Sequence, residues 1–420
     1  MEETFDLIVV GGGASGFMSA ITAAEERTSS IAILEETAKT LEKVRISGGG
    51  RCNVTNACWD TRELTTNYPR GEKALLGAFS RFSTGDAINW FEKRGLELKV
   101  EEDGRVFPKS NSSKEVIKCL QKSSEALGVK CLTGVKVNTI KKLSDKTFQL
   151  ECENKKFFFA KRILIATGGS PSGKRLAHNL GHQLINAVPS LFTFKLNAKW
   201  LTSCSGISVD RVNLRLISND KKFEQFGRIL ITHWGLSGPA VLKLSSFAAR
   251  DLNLDKYKSS LCINWIDKDF NEVNKLLEFY RSRHSSDSLK KYYPFDQLPR
   301  RLWVAFLENL AIDPNLKWSN FSNLKKDLLC KYLTKNNQLI VGKGPFGEEF
   351  VTAGGINLKE IDLKSMESLV CKGLYFSGEV LNIDGVTGGF NFQHCWTSGW
   401  IAGMAIASSK KEFNNSKIKE

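Results

Sequence analysis

The sequence predicts an α/β fold in which one domain is built from two separated stretches of chain. Three observations carry this. Residues 1–35 read as strand, glycine turn, helix and strand in succession. Short apolar strands running into small-residue turns recur at Ala166-Thr167-Gly168-Gly169 and again around Gly378 and Gly388-Gly389. Between them, from about 190 to 350, the pattern changes to short β segments followed by proline-broken helices. At ~150 residues per domain, a chain of 420 residues suggests two or three domains.

Composition bounds the class. Hydrophobic residues at 41% and charged residues at 25% are those of a globular protein and argue against a fibre or a disordered chain. No apolar run reaches the ~18 residues of a membrane helix, and the acidic start Met1-Glu2-Glu3 with a short apolar stretch is unlike a signal peptide. Ten cysteines, none in a CxxC pair, fit a reducing, cytoplasmic setting better than a disulfide scaffold or zinc ribbon. The net charge of +15 raises nucleic acid as a partner, but the basic residues come as scattered pairs and never as a run of five, so a solvated surface explains them better and nucleic acid is disfavoured.

In order along the chain, Phe5 to Val10 is a strand, Gly11 to Gly16 a turn, Phe17 to Glu26 a helix with Phe17, Ala20, Ile21 and Ala24 on one face, and Ile31 to Leu34 a second strand. Glu36 to Asn67 is polar and loop-like, Ala74 to Gly95 helical, and Leu96 to Val106 a hairpin around Glu102-Asp103-Gly104. Ser113 to Leu127 is a helix closed by Gly128, Val129 to Cys152 alternates as strands, Phe157 to Ile165 is a strand, and Arg175 to Leu180 a short helix. Phe192 to Ile266 reads as β, Asp269 to Leu333 as helices broken at Pro294, Pro299 and Pro314, and Gln338 to Val351 as β. Gly373 to Phe376 is a strand, Trp396 to Ser408 a final helix, and the last dozen residues a frayed tail.

Gly11-x-Gly13-x-x-Gly16 has the spacing of a dinucleotide-binding turn: the first glycine permits the turn, the second lets backbone approach a pyrophosphate, and the third lets helix and strand pack closely. Ala14 and Ser15 lie in the turn before the helix, whose N-terminus presents free N–H groups to phosphate. Glu35, nineteen residues beyond Gly16, is placed for ribose hydroxyls. A second match, Gly342-x-Gly344-x-x-Gly347, contains Pro345 and precedes a strand-like stretch, so it reads as a turn. Three further clusters favour FAD over NAD: Lys43 to Asn56, with Ser47, Gly48, Gly49 and Gly50 for close approach to a flat ring and Arg51 and Asn53 as donors; Ala166 to Gly169; and Gly378-Glu379 through Gly388-Gly389-Phe390-Asn391, where Glu379 suits ribityl hydroxyls and the helix start suits charge on a reduced flavin.

These stretches together resemble the BaiN-like (YhiN-like) FAD-dependent oxidoreductases, with their aminoacetone-oxidase-like members. The resemblance runs through Gly104-Arg105-Val106-Phe107-Pro108, Gly181-His182, Pro189-Ser190-Leu191, Thr232 to Pro239 and Gly354-Gly355, and the string Ser47 to Asn56 is its most specific part. It implies a Rossmann-like two-dinucleotide-binding-domain FAD fold interrupted by an inserted β-barrel and small helical bundle. The expected domains are 1–190 with 350–420 for FAD, 191–267 with 336–349 for the barrel, and 268–335 for the helices. It also implies contacts to the cofactor from Cys52 and Val135. Asn382 stands where the family has Asp, leaving Asp384 as the nearby carboxylate; Arg45 replaces an apolar residue; and the loop Ser170 to Lys174 is short.

Several residues carry two readings. Cys52 and Cys58 are a redox pair or unrelated thiols; five residues separate them, one more than in disulfide reductases. His178 and His182, four apart on an expected helix, share a face that suits a metal but lack a third ligand, so no metal is expected. His233 is a proton carrier or a histidine bonding its own turn. Arg51 stabilises an anionic flavin or pins its loop through a carboxylate. The aromatics at 303, 306 and 318 read as core. The expected activity is oxidoreduction of a small or medium organic substrate, with NAD(P)H as transient co-substrate; the alternative is an RNA-associated or non-catalytic flavin-binding protein.

Overall fold

The computed structural model describes residues 4–344 and 351–416; Pro345 and Gly347 of the second glycine motif lie outside them. Two compact units result, residues 1–187 with 352–420 and residues 188–351.

The first unit is organised on a seven-stranded sheet ordered Ile361–Asp362, Glu367–Ser368, Leu374–Phe376, Ile163–Ile165, Leu7–Val10, Ile31–Glu35, Lys130–Thr133. The strands from Leu374–Phe376 to Lys130–Thr133 are parallel, with Ile163 opposite both Ile8 and Leu374. A parallel strand covered on both faces must be apolar throughout, and Leu7, Ile8, Val9, Ile163, Leu164 and Ile165 are fully buried. Strand Leu7–Val10 is followed by the helix Ala14–Glu25 and then strand Ile31–Glu35 on one side, while Ile163–Ile165 flanks its other side. Chain order therefore reverses at Leu7–Val10, which opens a crevice at the carboxyl ends of these strands. Leu374–Phe376 returns the C-terminal stretch to the N-terminal sheet. The last helix, Phe390–Ser416, packs on Ala14–Glu25 through Gly399 and Gly403: a Cβ at either would lie 2.7 Å from a backbone oxygen of the first helix, Ser15 or Ser19.

In the second unit six strands close an antiparallel barrel: Phe194–Leu196, Gly235–Ser237, Lys221–Thr232, Ser208–Ser218, Ser259–Asn264 and Asn336–Lys343. The helices Phe270–Arg283, Arg300–Asn309 and Asn323–Thr334 are inserted between its last two strands. Trp303, Phe306 and Trp318 are fully buried in one core with barrel residues such as Leu214 and Ile263. Their indole N–H groups are satisfied by carbonyls, Trp303 by Leu289 and Trp318 by Tyr292.

Six local expectations change. The strand expected over Phe157–Ile165 is two, Phe157–Ala160 and Ile163–Ile165, which join different sheets, and the β stretch Phe192–Ile266 also holds the helices Pro239–Phe247 and Ala249–Leu254. The stretch expected as one helix from Ala74 to Gly95 is two, Glu72–Phe79 and Thr84–Glu92, because Ser83 and Asp86 form a capping box that starts a new helix. The loop-like stretch 36–67 contains the helices Glu42–Gly50 and Thr61–Thr65, the first interrupted at Ser47, Gly48 and Gly49 by non-helical backbone. The last helix starts at Phe390, not near Trp396, and the expected tail is helical to Ser416. His182 lies beyond the helix Pro171–Asn179, so it does not share a helical face with His178.

Candidate flavin site

The turn after Leu7–Val10 is tightly enclosed. Gly11 has φ +110°, and a Cβ there would meet the Ala166 carbonyl at 2.6 Å; a Cβ on Gly16 would meet the Gly11 carbonyl at 2.2 Å. Nothing lies within 4 Å of where a Gly13 side chain would be, and the helix Ala14–Glu25 has no side-chain cap. Its first N–H groups therefore face open space at the crevice, as a pyrophosphate requires. Glu35 ends the adjacent strand. Its carboxylate accepts from Gly12 N at 2.8 Å, from Thr37 N at 2.9 Å and from the Thr37 hydroxyl at 2.8 Å. Val135 N donates to the Glu35 carbonyl at 2.9 Å, which brings Val135 to this end of the site.

At the other end, Lys43 Nζ lies 2.6 Å from Glu379. A Cβ on Gly168 would be 3.6 Å from both groups, so the turns at 168 and 379 and the Lys43 helix converge. The Glu379 charge holds the Lys43 ammonium above its ordinary value. Lys174, which sequence reasoning missed, is buried beside them; burial lowers its pKa, Glu379 opposes that and Lys43 reinforces it. A lysine in a short polar helix carries no signal of burial. Ser15 donates to the Ser377 carbonyl at 3.3 Å, Gly378 N donates to Ser398 at 2.9 Å, and His394 Nε2 bonds the Gly378 carbonyl at 3.2 Å.

Three buried polar atoms around these turns have no hydrogen-bond partner among the described residues: Thr167 Oγ1, Ser377 Oγ and His394 Nδ1. Orphaned groups in a crevice of bare turns fit an extended polar cofactor. FAD suits the donor set: helix N–H groups for the pyrophosphate, Glu35 for the ribose and Glu379 for the ribityl chain.

The string Ser47 to Asn56 divides its work. Ser47, Gly48, Gly49 and Gly50 are half-buried or exposed, with the three glycines at positive φ. The residues after them bind protein. The Arg51 guanidinium stacks 3.8 Å from the Phe107 ring centre, donates to Asn111 at 3.1 Å and pairs with Glu101. With its carboxamide turned to satisfy both ends, Asn53 donates to the Thr55 and Val106 carbonyls and accepts from Gly389 N at 2.9 Å. Thr55 donates to Gln393 at 2.6 Å and Asn56 to the Gly388 carbonyl at 3.0 Å. Asn391 is engaged with Gly385 through both ends of its amide, at 2.8 Å each, and the Phe390 carbonyl accepts from the Tyr68 hydroxyl at 2.6 Å. Asp384 forms a buried bidentate pair with Arg70 and is not a free carboxylate.

Cys52 is fully buried and its thiol is pushed up to about 12; burial also lifts Cys58 to about 11. Neither is a thiolate at neutral pH, which removes the basis of a redox pair. His182 is buried between Glu360 (3.1 Å) and Ser368 (2.9 Å), and no metal-binding cluster of three ligands occurs among the described residues. His233, in the second unit, is exposed in the turn between strands Lys221–Thr232 and Gly235–Ser237.

Fold and site define an FAD-dependent oxidoreductase with a Rossmann cofactor domain. The chain belongs to the HI0933-like family, whose description, HI0933-like protein Rossmann domain, matches residues 5–405. It is 28% identical over 409 residues to a 3-dehydro-bile acid delta(4,6)-reductase of Clostridium scindens, covering 95% of this chain and 98% of that one. It is 29% identical over 429 residues to a ribosomal RNA dihydrouridine synthase of Escherichia coli, covering 97% and 99%. Among solved structures, a 3-ketosteroid-delta4-(5alpha)-dehydrogenase of Rhodococcus jostii shares the fold over 97% of this chain and 98% of that one, with TM-score 0.51 and 14% identity. No helix among the described residues is long and apolar enough to cross a membrane.

Proposed function

We propose that this protein reduces a carbon–carbon double bond conjugated to a carbonyl, with FAD as its cofactor and NAD(P)H as the electron donor. One observation carries the reading. Two relatives matched over nearly their whole length are named for different substrates, yet both names describe saturation of such a bond, in a dienone of a bile acid and in the uracil ring. The group that these residues would hold is FAD, which, once reduced by two electrons from the nicotinamide, would supply hydride chemistry toward the β-carbon of such a bond.

The chain's own residues bind, orient and protonate. Glu35 and the open N–H groups of Ala14–Glu25 fix the nucleotide half, and Lys43, Glu379 and Lys174 set the charge at the flavin half. The α-carbon needs a proton, and the sequence offers His233 as a candidate carrier. Arg51 is committed to Glu101, Asn111 and Phe107 and serves the loop. Anaerobic mixing of the FAD-loaded protein with NADPH or NADH, followed by a 4-en-3-one steroid, tests the reading. Bleaching and then reoxidation of the flavin by the enone supports it; a flavin that no nicotinamide reduces, or that no conjugated enone or uracil reoxidises, overturns it.

A second reading, uridine in RNA as the substrate, is favoured by the distribution of charge. Residues 188–351 hold 25 basic and 16 acidic residues, a net +9 of the chain's +15 in 164 residues. A polyanion would meet the excess there.

A further inference from the structure

We propose that the exposed face at the C-terminal end of the helix Phe270–Arg283 is a docking platform for single-stranded RNA, an inference that rests on the RNA reading above. Lys275, Phe279 and Arg283 follow one another at i, i+4 spacing and lie on one face of this helix. All three are exposed, Phe279 by 51%. A phenylalanine half in water contributes little to its own fold, and the core beneath is already filled by Val273, Leu277 and Trp318.

A second ring stands close in sequence. Tyr280, His284 and Tyr292 form a continuous aromatic stack, with centroid distances of 5.1 Å and 4.6 Å, and the last pair is near parallel at 16°. This fixes the plane of Tyr292, which is 40% exposed. Each exposed ring has a cation beside it: the Arg283 guanidinium is 5.8 Å from the Phe279 centre and the Lys291 ammonium 5.0 Å from that of Tyr292. Lys275, Arg283 and Lys290 have no ion-pair partner among the described residues, whereas Arg281 and Lys291 pair with Glu278 and Asp287.

Rings that offer a face, interleaved with cations of which Lys275, Arg283 and Lys290 are unpaired among the described residues, suit a strand whose bases stack while its phosphates are neutralised. An acidic protein surface would use the cations but neither ring. A duplex would use neither ring, because its bases are already stacked.

The test uses full-length FAD-loaded protein and a fluorescein-labelled, uridine-containing single-stranded RNA, read by anisotropy at several salt concentrations. K275E/R283E is compared with K114E/K118E, a charge-matched change on two exposed lysines of the helix Ser113–Ala126. F279A/Y292A removes the rings without changing charge. The platform predicts that K275E/R283E weakens binding about tenfold or more and flattens the salt dependence, by ~0.7 per lost phosphate contact. It predicts that F279A/Y292A weakens binding about tenfold at unchanged salt slope, and that K114E/K118E binds as the wild type does. Flavin reduction by nicotinamide should be unaltered in all three, which reports an intact fold. If wild type binds the RNA and reduces its uridine while the platform variants match it, the platform is refuted and the RNA reading stands. If wild type binds polyglutamate or phosphatidylglycerol vesicles as well as it binds RNA, or neither binds nor reduces RNA, the platform and the RNA reading fall together.

Discussion

The indole of Trp396 donates to the carbonyl of Val54 at 2.8 Å, a contact between residues 342 positions apart in sequence. Around it Asn53 meets Gly389, Thr55 meets Gln393 and Asn56 meets Gly388, so the loop that follows Gly50 is zipped onto the start of the last helix. Trp396 is fully buried, with its ring 5.1 Å from Phe91. Trp396→Phe keeps most of the packing but leaves the Val54 carbonyl unpaired. Chemical denaturation should register a loss of ~1–3 kcal/mol, and FAD retention should fall with it. Unchanged stability would mean that the contact is dispensable.

Glu35 holds Gly12 and Thr37 in place as well as offering its carboxylate to a ribose. Glu35→Ala should weaken FAD binding by roughly 1–3 kcal/mol, measured by cofactor release into apoprotein titrations. Cofactor identity is checked on the same samples: releasing FMN instead of FAD would contradict the nucleotide assignment.

Arg51 is stacked on the buried Phe107 and paired with Glu101, and the two charged groups are partly exposed. Arg51→Met should therefore lower stability by about 1 kcal/mol, the scale of a partly screened pair with a cation–π contact. The flavin potential, read by spectroelectrochemistry, should be unchanged. A fall of tens of millivolts would assign Arg51 to the reduced flavin instead.

His394 is fully enclosed, and burial depresses its pKa to about 4. Burial also lowers His182. A histidine depressed in the folded state leaves the unfolded chain as the better proton acceptor below its unfolded value of ~6.5. Stability of the apoprotein is then complete above about pH 6.5 and is lost as pH falls towards 4, by up to about 3 kcal/mol from His394. Denaturation midpoints between pH 7 and 4.5 should fall in wild type and fall less in His394→Asn; parallel curves would exclude the histidine.

Much of this was legible in the residues because it depends on local patterns. An apolar run, a glycine turn and a small-residue helix specify their own geometry, and a carboxylate at the end of the next strand completes the set, so Gly11 to Gly16 and Glu35 could be placed from sequence. The interruption was legible for the same reason, since Ala166 to Gly169 and Gly378 both follow strands. What depended on distant partners was hidden. Asn53 and Asn391 look like donors to a ligand until Gly389 and Gly385 are seen to occupy them. Asp384 looks like a free carboxylate until Arg70 is found beside it. The last helix looks as if it starts near Trp396 because Gly388-Gly389 and Asn391 read as loop, and Lys174 gives no sign that the chain will bury it.

The strand Leu374–Phe376 and the helix start at Phe390 are synthesised after every residue of the second unit. During translation the barrel and its helices therefore have all of their own chain while the first unit still lacks a sheet strand and the carboxylate of Glu379. On the cofactor site proposed above, stable flavin loading waits for these last segments, which makes incorporation of the cofactor a late event in biogenesis. A ribosome stalled before residue 374 would carry a folded insertion and an N-terminal half that cannot retain the flavin.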